Sequence, residues 1–200
     1  MLEAALRVLG RDGARRLTHR AVAEEASAPL GLMTYYFESN EDVLISAFEH
    51  LAQREIARME AIIACLSEHP AAVDEVAAID GAAAVDEAAD LIANYVTDGL
   101  LTSRDFVIAG YELSVEAARR EELARLNRIW CGALEEQLEI VLANLGSDNP
   151  SMHAQLVLAV VAGLEVNHLP DADSAFYEDV AQPILRELFH SLLPPRKALP

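Results

Sequence analysis

Residues 18–37 read THRAVAEEASAPLGLMTYYF, and this stretch decides how the whole chain is interpreted. Thr18 is a favourable N-cap for a first short helix. The segment from Ser27 to Pro29 breaks that helix, and Pro29 is placed to open another short helix that ends near Tyr36. Two short helices joined by a tight turn and packed on a preceding helix form a helix-turn-helix, whose second helix can enter the major groove of DNA.

The apolar residues around this stretch are spaced for a small three-helix core. A preceding helix is predicted from the three- and four-residue steps between Leu2, Ala5, Leu6 and Leu9, and it stops near Gly10–Gly13. The apolar residues that would complete the core are Val22, Ala26, Met33 and Phe37. The other large or hydroxyl-bearing residues of the third helix are left for its outward face: Leu30, Leu32, Thr34, Tyr35 and Tyr36.

Downstream, the pattern predicts a long fourth helix. Ser39 is its N-cap, and Glu41 and Asp42 lie at its electropositive end. His69-Pro70 marks its predicted end. Its apolar stripe runs through Leu44, Ala47, Phe48, Leu51, Met59, Ile62 and Leu66.

The rest of the chain also has helical periodicity and no sustained alternation. Residues 71–81 are interpreted as a short helix or an ordered linker, and Pro183 predicts a kink or a late start in the last helix. Further helices are predicted over about 83–101, 104–119, 123–141, 152–169 and 175–193. The sequence therefore predicts an all-α protein, with a three-helix helix-turn-helix domain at 1–45 and a larger helical domain at 46–200.

Composition excludes several classes of protein. The chain has 200 residues, of which 52% are hydrophobic and 24% charged, so it can fold without metals or disulfides. Two cysteines make no disulfide framework, and no histidines pair at metal-ligand spacing. We see no run of 18 apolar residues and no signal-peptide pattern. We therefore expect a cytoplasmic protein with no metal, no cofactor and no membrane partner.

Charge is distributed unevenly along the chain. The net charge is −18, but residues 1–20 hold five arginines against two acids, for a local charge of +3. Residues 21–50 hold six acids and no Lys or Arg, and residues 51–200 carry a net charge of −15. A nucleic acid would therefore meet the N-terminal region, because the acidic body repels phosphate.

The sequence shows no chemistry typical of an enzyme. We find no nucleophile–base constellation, no glycine-rich phosphate loop and no metal site. The acid pairs Asp86-Glu87, Glu121-Glu122 and Glu135-Glu136 are adjacent, so their side chains diverge around a helix and form solvated faces.

Residues 2–51 resemble the DNA-binding domain of the tetracycline-repressor (TetR) family of bacterial regulators. The likeness begins with EAALRVL in the first helix, Asp12-Gly13, and Thr18 followed by Val22-Ala23. It continues with Gly31 and with FESNE at 37–41. Asn40 stands where the family has Lys, and Ser27 stands at the usual turn glycine. The rest of the chain is similar to the family in length and helical architecture.

The resemblance implies that residues 29–36 form the recognition helix and that the start of the second helix meets the DNA backbone. Tyr35 and Tyr36 would contact the groove and phosphates, and the methyl of Thr34 would suit a thymine methyl. The residues expected to bind DNA are Thr18, His19, Arg20, Pro29, Leu30, Leu32, Thr34, Tyr35, Tyr36 and Asn40.

The resemblance also implies a small-molecule effector and a homodimer. The dimer would form through the last two helices, at 152–169 and 175–193, as a four-helix bundle. Tyr111, Asn127 and Trp130 are the preferred ligand residues, because they combine apolar and polar groups on central helices. The full set of candidate ligand-binding residues is Asn94, Tyr95, Phe106, Tyr111, Asn127, Trp130 and His168.

We therefore expect a ligand-responsive transcriptional regulator that is not an enzyme. It would act as a repressor, bind a palindromic double-stranded operator as a homodimer and be released by its effector. Two alternatives stay open at this point. One is a degenerate helix-turn-helix that contacts protein rather than DNA, and the other is a helical enzyme that binds small molecules.

Overall fold

A computed structural model describes residues 1–67 and 77–193, and every regular element in these ranges is helical, as expected for an all-α protein. A 3₁₀ turn at Ala14–Arg16 follows the first helix, and a π-helical turn at Tyr177–Ala181 precedes the last. The α-helices are α1 Leu2–Asp12, α2 His19–Glu25, α3 Leu30–Tyr36, α4 Asn40–Ser67, α5 Ala77–Thr102, α6 Arg104–Ala117, α7 Glu121–Asn144, α8 Pro150–His168 and α9 Gln182–Leu192.

Local chemistry sets the ends of the N-terminal helices. The Thr18 hydroxyl oxygen accepts a hydrogen bond from the Ala21 amide at 3.1 Å, which confirms the predicted N-cap of α2. The Ser39 hydroxyl oxygen accepts from the Asp42 amide at 3.1 Å and caps α4 in the same way. Gly13 ends α1 with a φ of 79°, in the region that glycine adopts readily.

The sequence predicts a kink or a late start at Pro183, and the structure shows an irregularity of the first kind. The segment is helical from Phe176, and a π-helical turn at Tyr177–Ala181 leads into α9, whose second residue is Pro183. By contrast, α5 begins at Ala77, several residues before the predicted start. The expected end of α4 at His69-Pro70 and residues 71–76 lie outside the described residues.

The chain divides into two compact units. Unit 1 comprises Met1–Ala57 and Thr102–Gly132, and α1 packs against α2 and α6 within it. A Cβ at Gly10 would lie 2.1 Å from the Asp105 carbonyl oxygen, so the close approach of α1 to α6 requires glycine. The predicted core residues Val22 and Met33 are fully buried there. Ala26 and Phe37 pack against them, which confirms the three-helix core.

Unit 2 comprises the described residues of Arg58–Leu101 and Ala133–Pro200. Its core is drawn from α5, α7, α8 and α9 and includes Ile92, Val96, Leu138, Leu142, Val157, Leu185 and Phe189. On α8, the buried residues are Ala154, Val157, Val161 and Leu164. The other side of α8 remains open in the single chain, although its all-round apolar sequence predicts burial on more than one side.

Two features are absent from the part of the chain that the structure describes. Among residues 1–67 and 77–193, none of the helices combines the length and the apolar character that a membrane crossing requires. In these same ranges, no group of three or more His, Cys, Asp or Glu side chains lies close enough together to hold a metal ion.

Candidate nucleic-acid interface

Helix α3 places almost all of its side chains at the surface. Only Met33 is buried, and it anchors the helix to the core of unit 1. Tyr35 is 79% exposed and Tyr36 58% exposed, and their rings meet edge to face at 5.0 Å. Leu30, Leu32 and Thr34 are exposed as well. The structure therefore leaves the predicted contact residues of α3 open to solvent.

Two residues of α3 have details that bear on DNA contact. The Thr34 hydroxyl donates to the Gly31 carbonyl oxygen at 3.1 Å, so its one donor is already used. A Cβ added at Gly31 would meet nothing within 4 Å. Neither backbone strain nor internal packing therefore explains this glycine.

The start of α2 is joined to the start of α4. The His19 amide donates to the Asn40 side-chain oxygen at 3.1 Å, so Asn40, a predicted DNA contact, also supports α2. The His19 ring Nε2 is buried and has no partner among the described residues. Arg20 is exposed and donates to Glu24 at 2.9 Å, a hydrogen bond that raises the pKa of its guanidinium.

The turn between α2 and α3 is left-handed at Ser27, with a φ of 51°. A side chain is strained in this region, so glycine would adopt this turn more readily than Ser27 does. Pro29 then precedes the first residue of α3 and is exposed.

The arginines of the N-terminal region are divided between internal pairing and the surface. Arg7 and Arg11 donate to the two Glu25 oxygens at 2.9 and 2.7 Å and join α1 to α2. Both hydrogen bonds lower the pKa of the Glu25 carboxyl, and the one from Arg11 has the larger effect. Arg15 and Arg16 are exposed and make no ion pair with any described residue. Few cations are therefore left for phosphate.

Four candidate ligand residues lie in unit 1. The Arg54 guanidinium lies 3.9 Å from the Phe106 ring centroid, and the Ser114 hydroxyl donates to the Asn127 side-chain oxygen at 3.2 Å. The Trp130 ring packs edge to face on Phe48 at 5.8 Å. Its Nε1–H is buried with no acceptor among the described residues. Tyr111 is half-buried on α6.

The other three candidates lie in unit 2. The exposed Asn94 side chain donates to the Asp90 carbonyl oxygen of its own helix at 2.8 Å. The Tyr95 ring has the Arg58 guanidinium 4.5 Å from its centroid. The His168 ring stacks at a tilt on Phe176, with centroids 4.9 Å apart.

Three polar side chains on central helices were not predicted from the sequence. Glu55 is only 7% exposed and lies 3.8 Å from Arg54. Its position between Leu51 and Met59 on the apolar stripe of α4 was a signal that could have identified it. Thr97 Oγ1 and Gln137 Oε1 are buried with no partner among the described residues, and nothing in the sequence pattern marked them.

Two regions of the chain match known protein families. Residues 1–47 match "Bacterial regulatory proteins, tetR family". Residues 80–195 match "Tetracyclin repressor-like, C-terminal domain". The HTH-type transcriptional regulator BetI of Brucella anthropi is 26% identical over 175 residues, which cover 87% of this chain and 82% of BetI.

Solved structures agree with these matches. A transcriptional regulator from Rhodococcus sp. Rha1 has a TM-score of 0.73 at 20% identity, covering 100% of this chain and 97% of that one. The multidrug binding protein EbrR, solved with imidazole, has a TM-score of 0.63 at 28% identity, covering 98% and 94%. EbrR has also been solved with ethidium and with proflavin.

An exposed third helix on a helix-turn-helix core, together with the two family matches, defines a DNA-binding transcriptional regulator, which is not an enzyme. With the two family matches, which together span most of the sequence, the chain belongs to the TetR family of bacterial regulatory proteins.

Proposed function

We propose that this regulator is a repressor that binds a palindromic operator as a homodimer and is released by a small-molecule effector. The observation that carries the proposal is the exposure of α3, where two adjacent tyrosines are 79% and 58% exposed on a helix held by one buried methionine. Large apolar side chains are rarely left on a surface in such density without a partner. We propose residues 1–45 as the DNA-binding domain and 46–200 as the effector and dimerisation domain.

We assign the homodimer contact to α8 and α9. A stripe on α8 runs through Met152, Leu156, Ala159, Gly163 and Val166 at steps of three and four residues, and Met152, Leu156 and Val166 are 52%, 42% and 49% exposed. Ile184 of α9 is 43% exposed. Small residues at Ala159 and Gly163 let two copies of α8 approach closely. A second copy is also required for recognition, because one helix-turn-helix reads too few bases.

We place the effector beside Trp130, Asn127 and Tyr111 in unit 1. A buried N–H without an acceptor costs about 1–3 kcal/mol, so the Trp130 Nε1–H favours a ligand that supplies an oxygen or nitrogen acceptor. EbrR, which binds imidazole, ethidium and proflavin, gives a precedent for small molecules in a similar fold. For this chain, a cationic ring system would compete with Arg54 for the face of Phe106.

Release would work by linkage. An effector that prefers a dimer with differently spaced recognition helices lowers operator affinity, and DNA lowers effector affinity by the same factor. Helix α4 is the proposed mechanical link, because it is one continuous helix from Asn40 at the DNA-binding end to Ser67. The place of action would be the cytoplasm, where bacterial DNA lies.

One observation favours a second candidate function. Arg20, the one cation on α2 or α3, is paired with Glu24, and α3 itself carries no charge. A helix-turn-helix of this kind would also suit contact with another protein.

Selection of bound fragments from genomic DNA tests the proposal directly. The full chain is expected to enrich a palindrome, and Tyr35→Ala should reduce the enrichment strongly, while Val115→Ala, at an exposed apolar site on α6, should not change it. No enriched sequence with folded wild-type protein would favour the protein-contact alternative.

Tryptophan fluorescence tests the proposed effector site. Trp130 is the only tryptophan in the sequence, so its fluorescence reports on its surroundings without a label. Compounds that dissociate the selected palindrome are expected to change the intensity or wavelength of this emission. A releasing compound that leaves the emission unchanged would place the effector elsewhere.

A further inference from the structure

Helix α3 offers unusual chemistry for reading DNA. Residues 29–37 read PLGLMTYYF and contain no charged, amide or imidazole side chain. The bidentate pairs that distinguish guanine and adenine in the major groove require Arg, Lys, Asn or Gln. A helix without them has two ways to recognise bases: single hydroxyl groups and apolar contact. Apolar contact discriminates at one major-groove feature, the 5-methyl group of thymine.

We infer that α3 recognises its operator half-site through thymine methyl groups, which contact Leu32 and Thr34, while Gly31 lets the helix backbone lie close to the base edges. This inference rests on the proposed function, since it requires α3 to enter a major groove. It adds the chemical identity of the bases that α3 selects.

The buried side of α3 determines which residues can reach the bases. Met33 has no exposed surface, so its direction marks the inside of the helix. Gly31 and Tyr35, two residues away on either side, lie about 200° around the axis and therefore face outward. Leu32 and Thr34 lie about 100° to each side and form the two flanks of that outward face. Leu32 is 40% exposed in the free protein.

The hydroxyl of Thr34 is not available as a donor to a base. It donates to the Gly31 carbonyl oxygen at 3.1 Å, so only its acceptor lone pairs remain. The major-groove edges of guanine, and the O4 of thymine, present acceptors that this oxygen cannot pair with. The oxygen can accept only from the amino groups of adenine and cytosine, through a single hydrogen bond, whereas the methyl group of Thr34 is suited to the methyl group of thymine.

Gly31 has no role within the protein that requires glycine. Its φ is not in the left-handed region, and a Cβ would meet nothing within 4 Å. Glycine inside a helix is less favourable than alanine, so its presence at the centre of the outward face points to a need for space outside the protein. A close approach of the α3 backbone to the base edges would bring Leu32 and Thr34 into contact with the thymine methyl groups.

The test uses duplexes selected by the full chain from a random-sequence pool. The selected palindrome is synthesised with thymine and, one position at a time in both half-sites, with deoxyuridine, which lacks only the methyl group. Burial of one methyl group corresponds to about a 4-fold change in affinity, so losing one from each half-site should weaken binding roughly 15-fold. Leu32→Ala should reduce this penalty at one thymine, whereas Val115→Ala, at an exposed apolar site on α6, should leave it unchanged.

The outcomes separate the inference from the proposed function. A selected palindrome whose affinity is unaffected by every thymine-to-uracil replacement, or whose half-sites contain no thymine at the α3 contacts, overturns the inference and leaves operator binding intact. A pool that yields no enriched sequence overturns operator binding, and the inference with it.

Discussion

Helices α3 and α8 both expose large apolar side chains in the single chain, but they do so in different ways. Helix α3 has seven residues, one buried side chain and three hydroxyl groups. Helix α8 has nineteen residues, one face buried in the core of unit 2 and a continuous apolar stripe on the other. A surface that binds and leaves DNA needs polar groups for water in the free state, whereas a surface covered permanently by a second copy does not.

The largest effect is expected from a charge on the α8 stripe. Leu156→Glu would bury one unpaired carboxylate from each subunit of the symmetric dimer. This burial costs several kcal/mol. We expect the protein to become monomeric at micromolar concentration and to lose at least about 100-fold in operator affinity. Sedimentation and gel-shift measurements report the two effects.

Ile129→Glu is the matched control, because Ile129 on α7 is 56% exposed and lies outside the proposed contact. It should change neither the oligomeric state nor DNA binding. If Leu156→Glu stays dimeric while Ile129→Glu dissociates, the dimer contact belongs on α7 instead of α8.

The second largest effect is expected on α3. Tyr35→Ala removes a side chain that is 79% exposed and contributes little to folding. It should reduce operator affinity roughly 10- to 100-fold, which corresponds to the loss of about 1.4–2.8 kcal/mol at an aromatic contact. The dimer and the midpoint of thermal unfolding should be unchanged. A loss of dimer in this variant would mean that the two surfaces are not independent.

A smaller effect on operator affinity is expected from substituting an exposed glycine of α3, and an exposed glycine of α7 provides the comparison. Gly31 on α3 and Gly132 on α7 are both helical, and a Cβ at either meets nothing within 4 Å. Alanine at either site should stabilise the fold by about 0.5–1 kcal/mol, since alanine is the better helix former. Operator affinity should fall in Gly31→Ala alone. Equal DNA binding by the two variants would show that α3 does not approach the DNA closely at this glycine.

Features that depend on neighbouring residues could be predicted from the sequence, whereas contacts between residues far apart in the chain could not. The caps at Thr18 and Ser39 and the irregularity near Pro183 depend on residues within a few positions of each other, so the local sequence predicts them. The hydrogen bond from the His19 amide to Asn40 joins residues far apart in sequence, so only the fold shows that Asn40 supports α2.

The candidate ligand residues were harder to predict for a related reason. Residue type and helical spacing nominated Tyr95 and Phe106, but the arginines over their rings come from another helix. The missing acceptor of the Trp130 N–H is likewise a property of the packed core. Glu55 is the exception, because a carboxylate on an apolar stripe was visible in the sequence.

The smallest expected effect is the acid sensitivity of the ion pairs that hold the helices around each surface. Glu25 joins α2 to α1 through Arg11 and Arg7, and Asp90 of α5 accepts hydrogen bonds from Arg186 of α9. The pKa of Glu25 is lowered mainly by Arg11, and that of Asp90 mainly by Arg186. Both carboxylates are therefore more acidic in the folded state than in the unfolded state.

A lowered pKa means that each pair contributes stability above the ordinary pKa of its carboxylate, 4.5 for Glu25 and 3.8 for Asp90. This stability is lost as the pH falls, because the unfolded chain takes up a proton that the folded chain still excludes. Urea unfolding between pH 7 and pH 3 should therefore show a decline that is shallower in Glu25→Gln and in Asp90→Asn. The change at Glu25 should reduce operator binding at neutral pH, since Glu25 supports α2, while Asp90→Asn should leave it unaltered. Identical pH profiles in wild type and both variants would mean that neither ion pair contributes to folding, and that the helices carrying the two surfaces are held by apolar packing alone.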